Sequence, residues 1–112
     1  PTQGANLISN VPHNLTDTAL TIAAVVKAAR AGNRQEVEVT KAAEDDWVSL
    51  LLSGPGRMLG SQDCTPGYYN NEGQDPGPAA RYFVGYPAGP TAYFAYIKDW
   101  RAKGDFNGLE FR

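Results

Sequence analysis

The segment NVPHNLTDTALTIAAVVKAARAG, residues 10–32, decides the fold because it carries a long, uninterrupted helical pattern. Apolar and small side chains recur along it at intervals of three and four residues, which is the spacing of one helix face. These are Val11, Leu15, Thr18, Ile22, Val25, Val26 and Ala29. Asn10 suits the N-cap, Pro12 suits an early helical position, and Gly32 follows the last periodic residue. The pattern predicts an amphipathic helix over residues 13–31.

A short strand and a second helix are predicted after this helix. Residues 36–39 alternate Glu, Val, Glu and Val, which predicts a short half-buried strand or an extended stretch. Thr40 is a plausible N-cap for the second helix. The sequence Ser53-Gly54-Pro55-Gly56 is expected to end it. We expect three large apolar side chains to form its buried face: Trp47, Leu50 and Leu51.

A long loop is predicted between residues 53 and 80. Ten of the twenty glycine and proline residues of the chain lie there, and no helical or strand periodicity survives. Loops of this length within compact domains are uncommon and are usually functional. The centre of the loop, residues 64–73, reads CTPGYYNNEG and is rich in aromatic and amide side chains. This composition is unusual for a passive linker.

The last third of the chain returns to patterned sequence. Residues 81–86 are expected to form a strand, and a turn at residues 87–90 leads to a third helix capped by Thr91. Gly104 is expected to end that helix, and residues 109–111 to form a closing strand. One face of the helix carries Tyr93, Tyr96, Ile97 and Trp100. The predicted fold class is α+β, with a long amphipathic helix, two shorter helices, a few short strands and the long loop.

Composition excludes several classes of protein. The chain has 112 residues, 10 basic and 12 acidic side chains and a net charge of −2. This length fits one domain, and the charge gives no basic patch for a nucleic-acid partner. No apolar run approaches the roughly 20 residues of a membrane span, and no secretory signal is recognised. We therefore expect a cytoplasmic chain with no membrane or nucleic-acid partner.

The candidate catalytic motifs are better explained as structural features. Gly54, Gly56 and Gly60 superficially match a dinucleotide-binding fingerprint, but they follow a helix rather than a strand. The single cysteine, Cys64, stands beside an acidic residue, which opposes formation of a reactive thiolate. We expect Cys64 to be a small packed hydrophobe.

Metal and acid–base sites are excluded in the same way. The acidic residues 44–46 lie where a helix dipole favours negative charge, so the dipole explains them without a metal. The single histidine, His13, falls at the start of the first helix, and nothing in the sequence brings it to Cys64. We assign no catalytic residue and no metal ligand.

Two segments suit a ligand as well as they suit a structural role. Residues 4–12 are irregular sequence that runs directly into a long helix, and such a junction offers unpaired amides and positive partial charge to an oxygen or an anion. The aromatic and amide side chains of residues 64–73 could cover a bound aromatic or ribose group. Helix capping and core packing account for the two segments equally well.

These segments also fall in a collinear series of motifs. The series begins with Pro1-Thr2-Gln3-Gly4 and Ser9-Asn10-Val11-Pro12-His13, and continues with Val37-Glu38-Val39-Thr40, Trp47 after its acidic residues, and the Gly/Pro loop. It closes with Tyr82-Phe83-Val84-Gly85, Tyr93 and Gly104-Asp105-Phe106-Asn107-Gly108-Leu109. Taken together, the series resembles the C-terminal segment of Baeyer–Villiger monooxygenases, flavoproteins that use FAD and NADPH.

The resemblance implies a role for each part of the chain. The parent enzyme would insert oxygen next to a ketone carbonyl to give an ester or lactone, using NADPH and O2. The implied cofactor-binding residues are Asn10, Val11, Pro12 and Cys64. The implied substrate-binding residues are Ala5, Asn6, Leu7, Ile8, Tyr68 and Tyr69. Many relatives have a Trp-Tyr pair in the loop, where this chain has residues 64–69.

The resemblance also implies a partner. The chain would be a single C-terminal segment, 1–112, of a larger FAD/NAD(P)-binding fold, and the remainder of the flavoprotein would supply the FAD and NADPH domains. Its parts would be a cofactor-facing junction, the long helix, a strand with a helix, a lid-like loop, and a strand–helix–strand end, over residues 1–12, 13–32, 36–53, 53–80 and 81–112. We expect the isolated chain neither to catalyse nor to bind FAD or NADP tightly.

Two other functions remain open at this point. The chain could be an independent small α+β module that binds a ligand or protein without catalysis, or a small cofactor-free enzyme. The enzyme is the weakest alternative, because no acid–base pair or nucleophile is found. A segment of a larger flavoprotein should have a first helix whose exposed face is small and apolar, whereas an independent module should not.

Overall fold

The computed structural model describes residues 10–54, 64–75, 77–78, 82 and 84–112. Within these ranges the chain forms three α-helices and one two-stranded sheet, and a short 3-10 segment, Tyr68–Gly73, lies in the predicted loop. In chain order the elements are α1 (Val11–Ala31), β1 (Val37–Val39), α2 (Lys41–Leu52), α3 (Gly89–Lys103) and β2 (Leu109–Phe111). The predicted α+β class, with one long and two shorter helices, is confirmed.

Local capping sets the bounds of α1. The Asn10 side chain accepts a hydrogen bond from the His13 backbone N–H at 3.4 Å, as an N-cap does. The Gly32 N–H donates to the Ala28 carbonyl at 3.0 Å at the other end. The helix begins two residues before the predicted start, because Val11 and Pro12 are already helical and the fixed φ of proline suits the first turn.

The second helix, α2, is also capped as predicted. The Thr40 hydroxyl accepts from the Ala43 N–H at 3.2 Å, and the helix ends at Leu52, just before Ser53. Leu51 is only 2% exposed and Trp47 is half-buried, in agreement with the predicted buried face. The prediction is wrong for Leu50, which is 38% exposed. Consecutive residues of a helix point in different directions, so Leu50 points away from the core when Leu51 faces it.

The two strands pair with each other in antiparallel fashion. Val37 lies opposite Phe111 and Val39 opposite Leu109, so the closing strand is confirmed. The predicted half-buried character of β1 is wrong, since all three of its residues are exposed and Val39 is 56% exposed. No described layer of structure covers this face of the ribbon. β2 joins the core on its other side, where the rings of Phe111 and Phe106 lie 5.9 Å apart.

Two predictions about the last third of the chain are wrong. Thr91 does not cap α3, because the helix begins two residues earlier, at Gly89, and Ala88 occupies the cap without a side-chain hydrogen bond. The predicted strand over residues 81–86 is absent from its described residues, 82 and 84–86. Val84 is instead buried, and with Tyr82 it lines a small cavity against α2. The segment therefore packs on a helix rather than on a sheet.

Aromatic contacts join α2 to α3. The Trp47 ring on α2 lies 5.9 Å from Tyr86 and 6.1 Å from Tyr96, in stacked orientations, and Trp100 meets Phe106 edge-on at 5.2 Å. The C-terminal end of α3 is closed by Gly104, whose φ of 70° is the left-handed conformation that glycine adopts readily.

Among the described residues, no helix is long and apolar enough to cross a membrane.

Adjacent leucines test this account of the core. We expect Leu51→Ala to lower the free energy of unfolding by about 2–5 kcal/mol, because it empties a buried site. Leu50→Ala is the matched control and should cost about 1 kcal/mol or less, because that side chain is already partly solvated. Urea denaturation of both variants gives the comparison. Equal losses in the two variants would contradict the assignment of the buried face.

Candidate functional site

The start of α1 presents three of the predicted cofactor-binding residues to solvent. Asn10, Val11 and Pro12 are all exposed, and Val11 is 54% exposed. The His13 N–H already donates to the Asn10 side chain, and Pro12 has no N–H, so neither can bind a ligand. The Val11 N–H has no hydrogen-bond partner among the described residues, and it lies at the positive end of a 21-residue helix. This end can therefore receive an oxygen atom that carries negative charge.

The predicted substrate-binding residues Ala5, Asn6, Leu7 and Ile8 lie outside the described residues. The side chain of Tyr69 also lies outside them, so the structure does not test these assignments.

A polar cluster holds α1 against α3. The Arg101 guanidinium contacts the Asp17 carboxylate at 2.7 Å and the Thr21 hydroxyl at 2.6 Å. It also donates to the Asp17 backbone carbonyl at 3.1 Å. Only 15% of each charged side chain is exposed, so this ion pair is largely shielded from water. Nearer the start of α1, the His13 ring meets Phe94 of α3 edge-on at 4.5 Å.

Tyr93 of α3 lies beside this cluster. Burial raises the pKa of its phenol above the ordinary value of 10.0, the Asp17 carboxylate raises it further, and the Arg101 charge opposes both. The ring also packs at 5.7 Å from Phe94 and at 5.9 Å from Tyr86. The cluster is thus continuous with the aromatic contacts between α2 and α3.

A different face of α1 is apolar and exposed. Val11, Leu15, Ile22 and Val26 are separated by four, seven and four residues, which places them in one row along the helix. Their exposed fractions lie between 48% and 60%. Ala19 and Ala23 lie beside this row and are exposed as well. The face is apolar, as the sequence predicts for a segment of a larger flavoprotein, but the prediction that it is small is wrong, because the four side chains of the row are large.

The described part of the long loop is organised by Asn70. The residue is only 3% exposed. It accepts a hydrogen bond from the Gly67 N–H at 2.8 Å and donates to the carbonyls of Cys64 and Thr65, both at 3.1 Å. Residues 71–73 then turn the chain sharply, since all three have positive φ angles between 53° and 77°. One buried amide therefore binds the backbone of three preceding residues of the loop.

The loop presents Cys64 and Tyr68 to solvent. Tyr68 is 88% exposed, and its neighbour in the loop, Cys64, is also exposed. The prediction that Cys64 is a packed hydrophobe is wrong, because Cys64 is exposed; its backbone carbonyl accepts a hydrogen bond from the Asn70 side chain. In the described part of the chain, no group of three His, Cys, Asp or Glu side chains could hold a metal ion.

Two features of the site were not predicted from sequence. Asp17 and Arg101 are separated by 84 residues, and the one local signal was a pair of polar side chains, Asp17 and Thr21, one turn apart on a helix. Asn70 could have been suspected, because the run Asn-Asn-Glu-Gly is typical of tight turns with left-handed residues.

Comparison with known proteins gives several related sequences. The chain is 51% identical to an FAD-binding monooxygenase of Hypomyces subiculosus over 78 residues, which are 68% of this chain and 13% of that protein. It is 35% identical to neopentalenolactone D synthase of Streptomyces avermitilis over 104 residues, or 92% of this chain and 17% of that one. It is also 39% identical over 95 residues to a Baeyer–Villiger monooxygenase of Streptomyces coelicolor, covering 82% of this chain and 15% of that protein.

The chain thus spans between 13% and 17% of the length of these three relatives. No family model and no solved structure matches it.

The role of Asn70 can be tested by hydrogen exchange. Asn70→Ala removes an acceptor and two donated bonds, and each buried group left unsatisfied costs about 1–3 kcal/mol. We expect the Gly67 amide to exchange at least about tenfold faster, since about 1.4 kcal/mol corresponds to a factor of ten. Asn70→Asp, which keeps the acceptor but loses the donors, should have an intermediate effect. Unchanged exchange at Gly67 in the alanine variant would refute this role.

The buried phenol predicts a pH dependence of stability. Because the pKa of Tyr93 is raised in the folded chain, its contribution is complete below about pH 10 and is lost as the pH rises through the folded pKa. We expect the free energy of unfolding to fall less steeply above pH 10 in Tyr93→Phe than in the wild type. Tyr68→Phe, at a site 88% exposed, is the control and should keep the wild-type slope. Identical slopes in all three proteins would exclude the effect.

Proposed function

We propose that this chain, which belongs to the family of FAD-binding monooxygenases, forms one wall of the flavin and ketone site in a longer enzyme of the Baeyer–Villiger type. The observation that carries the proposal is the exposed apolar row of α1, at Val11, Leu15, Ile22 and Val26. A helix that leaves such a row in water is suited to burial against another part of a protein. We propose that the partner is the remainder of the flavoprotein, which holds the FAD and NADP domains.

The start of α1 fits the edge of a flavin ring. The Val11 N–H and the positive helix end would face a flavin oxygen and stabilise negative charge there. Asn10 would hold the first turn in shape through its bond to the His13 N–H. Bound FAD would supply the redox chemistry that transfers one oxygen atom from O2 to the ketone, with NADPH as reductant. We propose that residues 5–8 line the ketone pocket.

The loop that contains Asn70 would cover the nicotinamide side of the site. Its shape is set by internal hydrogen bonds, so Cys64 and Tyr68 are held at a surface before any ligand arrives. Tyr68 offers an exposed ring that can pack on a cofactor or a substrate. A loop in this position excludes water from the reacting atoms, which protects a reactive flavin.

The alternative of an independent binding module is less well supported. Such a module has to remain monomeric in water, with its apolar residues covered by its own structure. Large contiguous apolar surfaces are rare on monomers. The apolar row of α1 runs over about four turns of the helix, from Val11 to Val26. A module would therefore need a protein partner on this face in any case.

Two exposed leucines of α1 test the proposal. Leu15 lies in the apolar row at 60% exposure, and Leu20 lies on the opposite side of the helix at 56%. In the full-length flavoprotein we expect Leu15→Glu to lower FAD content and NADPH-dependent ketone oxidation severalfold, because it places a charge in a buried interface. Leu20→Glu is the matched control and should leave both nearly unchanged. The measurements are bound FAD by absorbance and ester or lactone formation by chromatography.

A full-length wild-type protein that holds no FAD, or that converts no ketone, would refute the proposed function. Equal effects of the two leucine substitutions would refute the assignment of the apolar row as the interface.

A further inference from the structure

We propose that Asp17 and Arg101 are positioning residues, which hold the start of α1 in the direction that the flavin site requires. The inference rests on the proposed function, since it concerns the same helix end. It assigns a role in the reaction to two side chains that need not touch either the cofactor or the ketone.

The contacts form a fork that grips one turn of α1. One guanidinium nitrogen of Arg101 bonds the Asp17 carboxylate, and the other bonds both the Thr21 hydroxyl and the Asp17 carbonyl. The Thr21 hydroxyl in turn donates to the same Asp17 carbonyl at 2.9 Å. A planar guanidinium that meets several partners constrains direction as well as distance. Because Asp17 and Thr21 lie one turn apart along the axis, these contacts restrain both the rotation of α1 about its own axis and its tilt relative to α3.

The rest of the contact between α1 and α3 offers little that could fix this rotation. The half-buried or buried residues of α1 are mostly small or polar, with one larger apolar side chain, Val25; they are Asn14, Asp17, Thr21, Ala24, Val25, Ala28 and Ala29. Alanine side chains let two helices approach closely but lack the shape to interlock. The other described attachment near the start of α1 is the edge-on contact between His13 and Phe94. A single ring contact limits separation more than it limits rotation.

Geometry carries the constraint from Arg101 to the site. Asp17 is seven residues from Asn10, and at 1.5 Å per residue the two are about 10 Å apart along the helix axis. A tilt of α1 by about 6° around the Arg101 contact would move its first residue by about 1 Å. A displacement of about 1 Å in a reacting site can lower a rate by about a hundredfold. Asp17 and Arg101 are therefore far enough from the start of α1 to avoid contact with the cofactor, and close enough to determine where the start of the helix lies.

The positioning role of this ion pair can be tested separately from its contribution to stability. Replacing such a pair by apolar side chains of similar volume is often neutral or stabilising, whereas the directional grip is lost. The double variant Asp17→Leu/Arg101→Met is therefore designed to keep the fold and remove the fork. Arg101→Lys keeps the charge and also removes the fork, so it tests the same point if the double variant does not fold.

The experiment uses the full-length flavoprotein with FAD bound. In the double variant we expect the melting temperature to stay within a few degrees of the wild type. Its kcat for ketone oxidation should fall by about tenfold to a hundredfold, with little change in the KM for NADPH. The visible circular dichroism of the bound flavin should change, because that signal reports the groups around the ring. Arg101→Lys should have a smaller effect of the same kind.

A second ion pair in the chain provides the control. Lys41 and Asp45 lie one turn apart on α2, and their side chains are 75% and 62% exposed. The double variant Lys41→Met/Asp45→Leu should leave kcat and the flavin signal unchanged, since this pair grips no second element.

The possible outcomes separate the two proposals. An active wild type whose kcat and flavin signal are unaltered in both the double variant and Arg101→Lys would overturn the positioning role alone. A fall in kcat that appears equally in the Lys41 control would overturn it too. A wild type that binds FAD but oxidises no ketone would overturn the proposed function, and the flavin signal would still report whether Arg101 positions the helix.

Discussion

The contact of Arg101 with Asp17 and Thr21 is the interaction on which the placement of α1 against α3 depends. α1 has two faces with opposite requirements: one must attach to α3, and the other remains open in the described structure. An apolar contact on both sides would leave the helix free to bury whichever face packs better, because the hydrophobic effect has no direction. The Arg101 bonds to Asp17 and Thr21 are directional, so they select the polar face. The apolar row is exposed as a consequence of this selection.

The features that were predicted correctly from sequence depend on neighbouring residues. Asn10, Thr40 and Gly104 each cap a helix through contacts or dihedral angles within a few residues, so local rules suffice to find them. The failures depend on distant packing. Residues 81–86 have the composition of a strand, yet Val84 is buried near Leu51, and no strand partner is available in the described structure. The exposure of β1 and of Leu50 was likewise set by which elements happen to cover them.

The residues of the candidate site also differ in how far they could be predicted from sequence. The start of α1 was identified from sequence because an N-cap, a proline and a long helix are adjacent in the chain. Its attachment through Arg101 was not, because no local pattern connects residues 84 positions apart. Asn70 lies between these cases. Its buried amide serves carbonyls five and six residues away, a distance at which turn composition suggests a bend but does not say which side chain closes it.

Together these observations bear on the proposal that this chain forms one wall of a longer enzyme. The elements of the chain are defined by their own caps and turns, so α1 and the Asn70 loop keep their shapes locally. Their value to a reaction depends on direction, however, because a helix dipole stabilises charge only at the atom it faces. A shielded ion pair gives little net stability, whereas a planar guanidinium with several partners constrains direction. In the proposed enzyme, Arg101 would hold α1 in the orientation that a wall of the site requires, and the apolar row of α1 would pack against the rest of the protein.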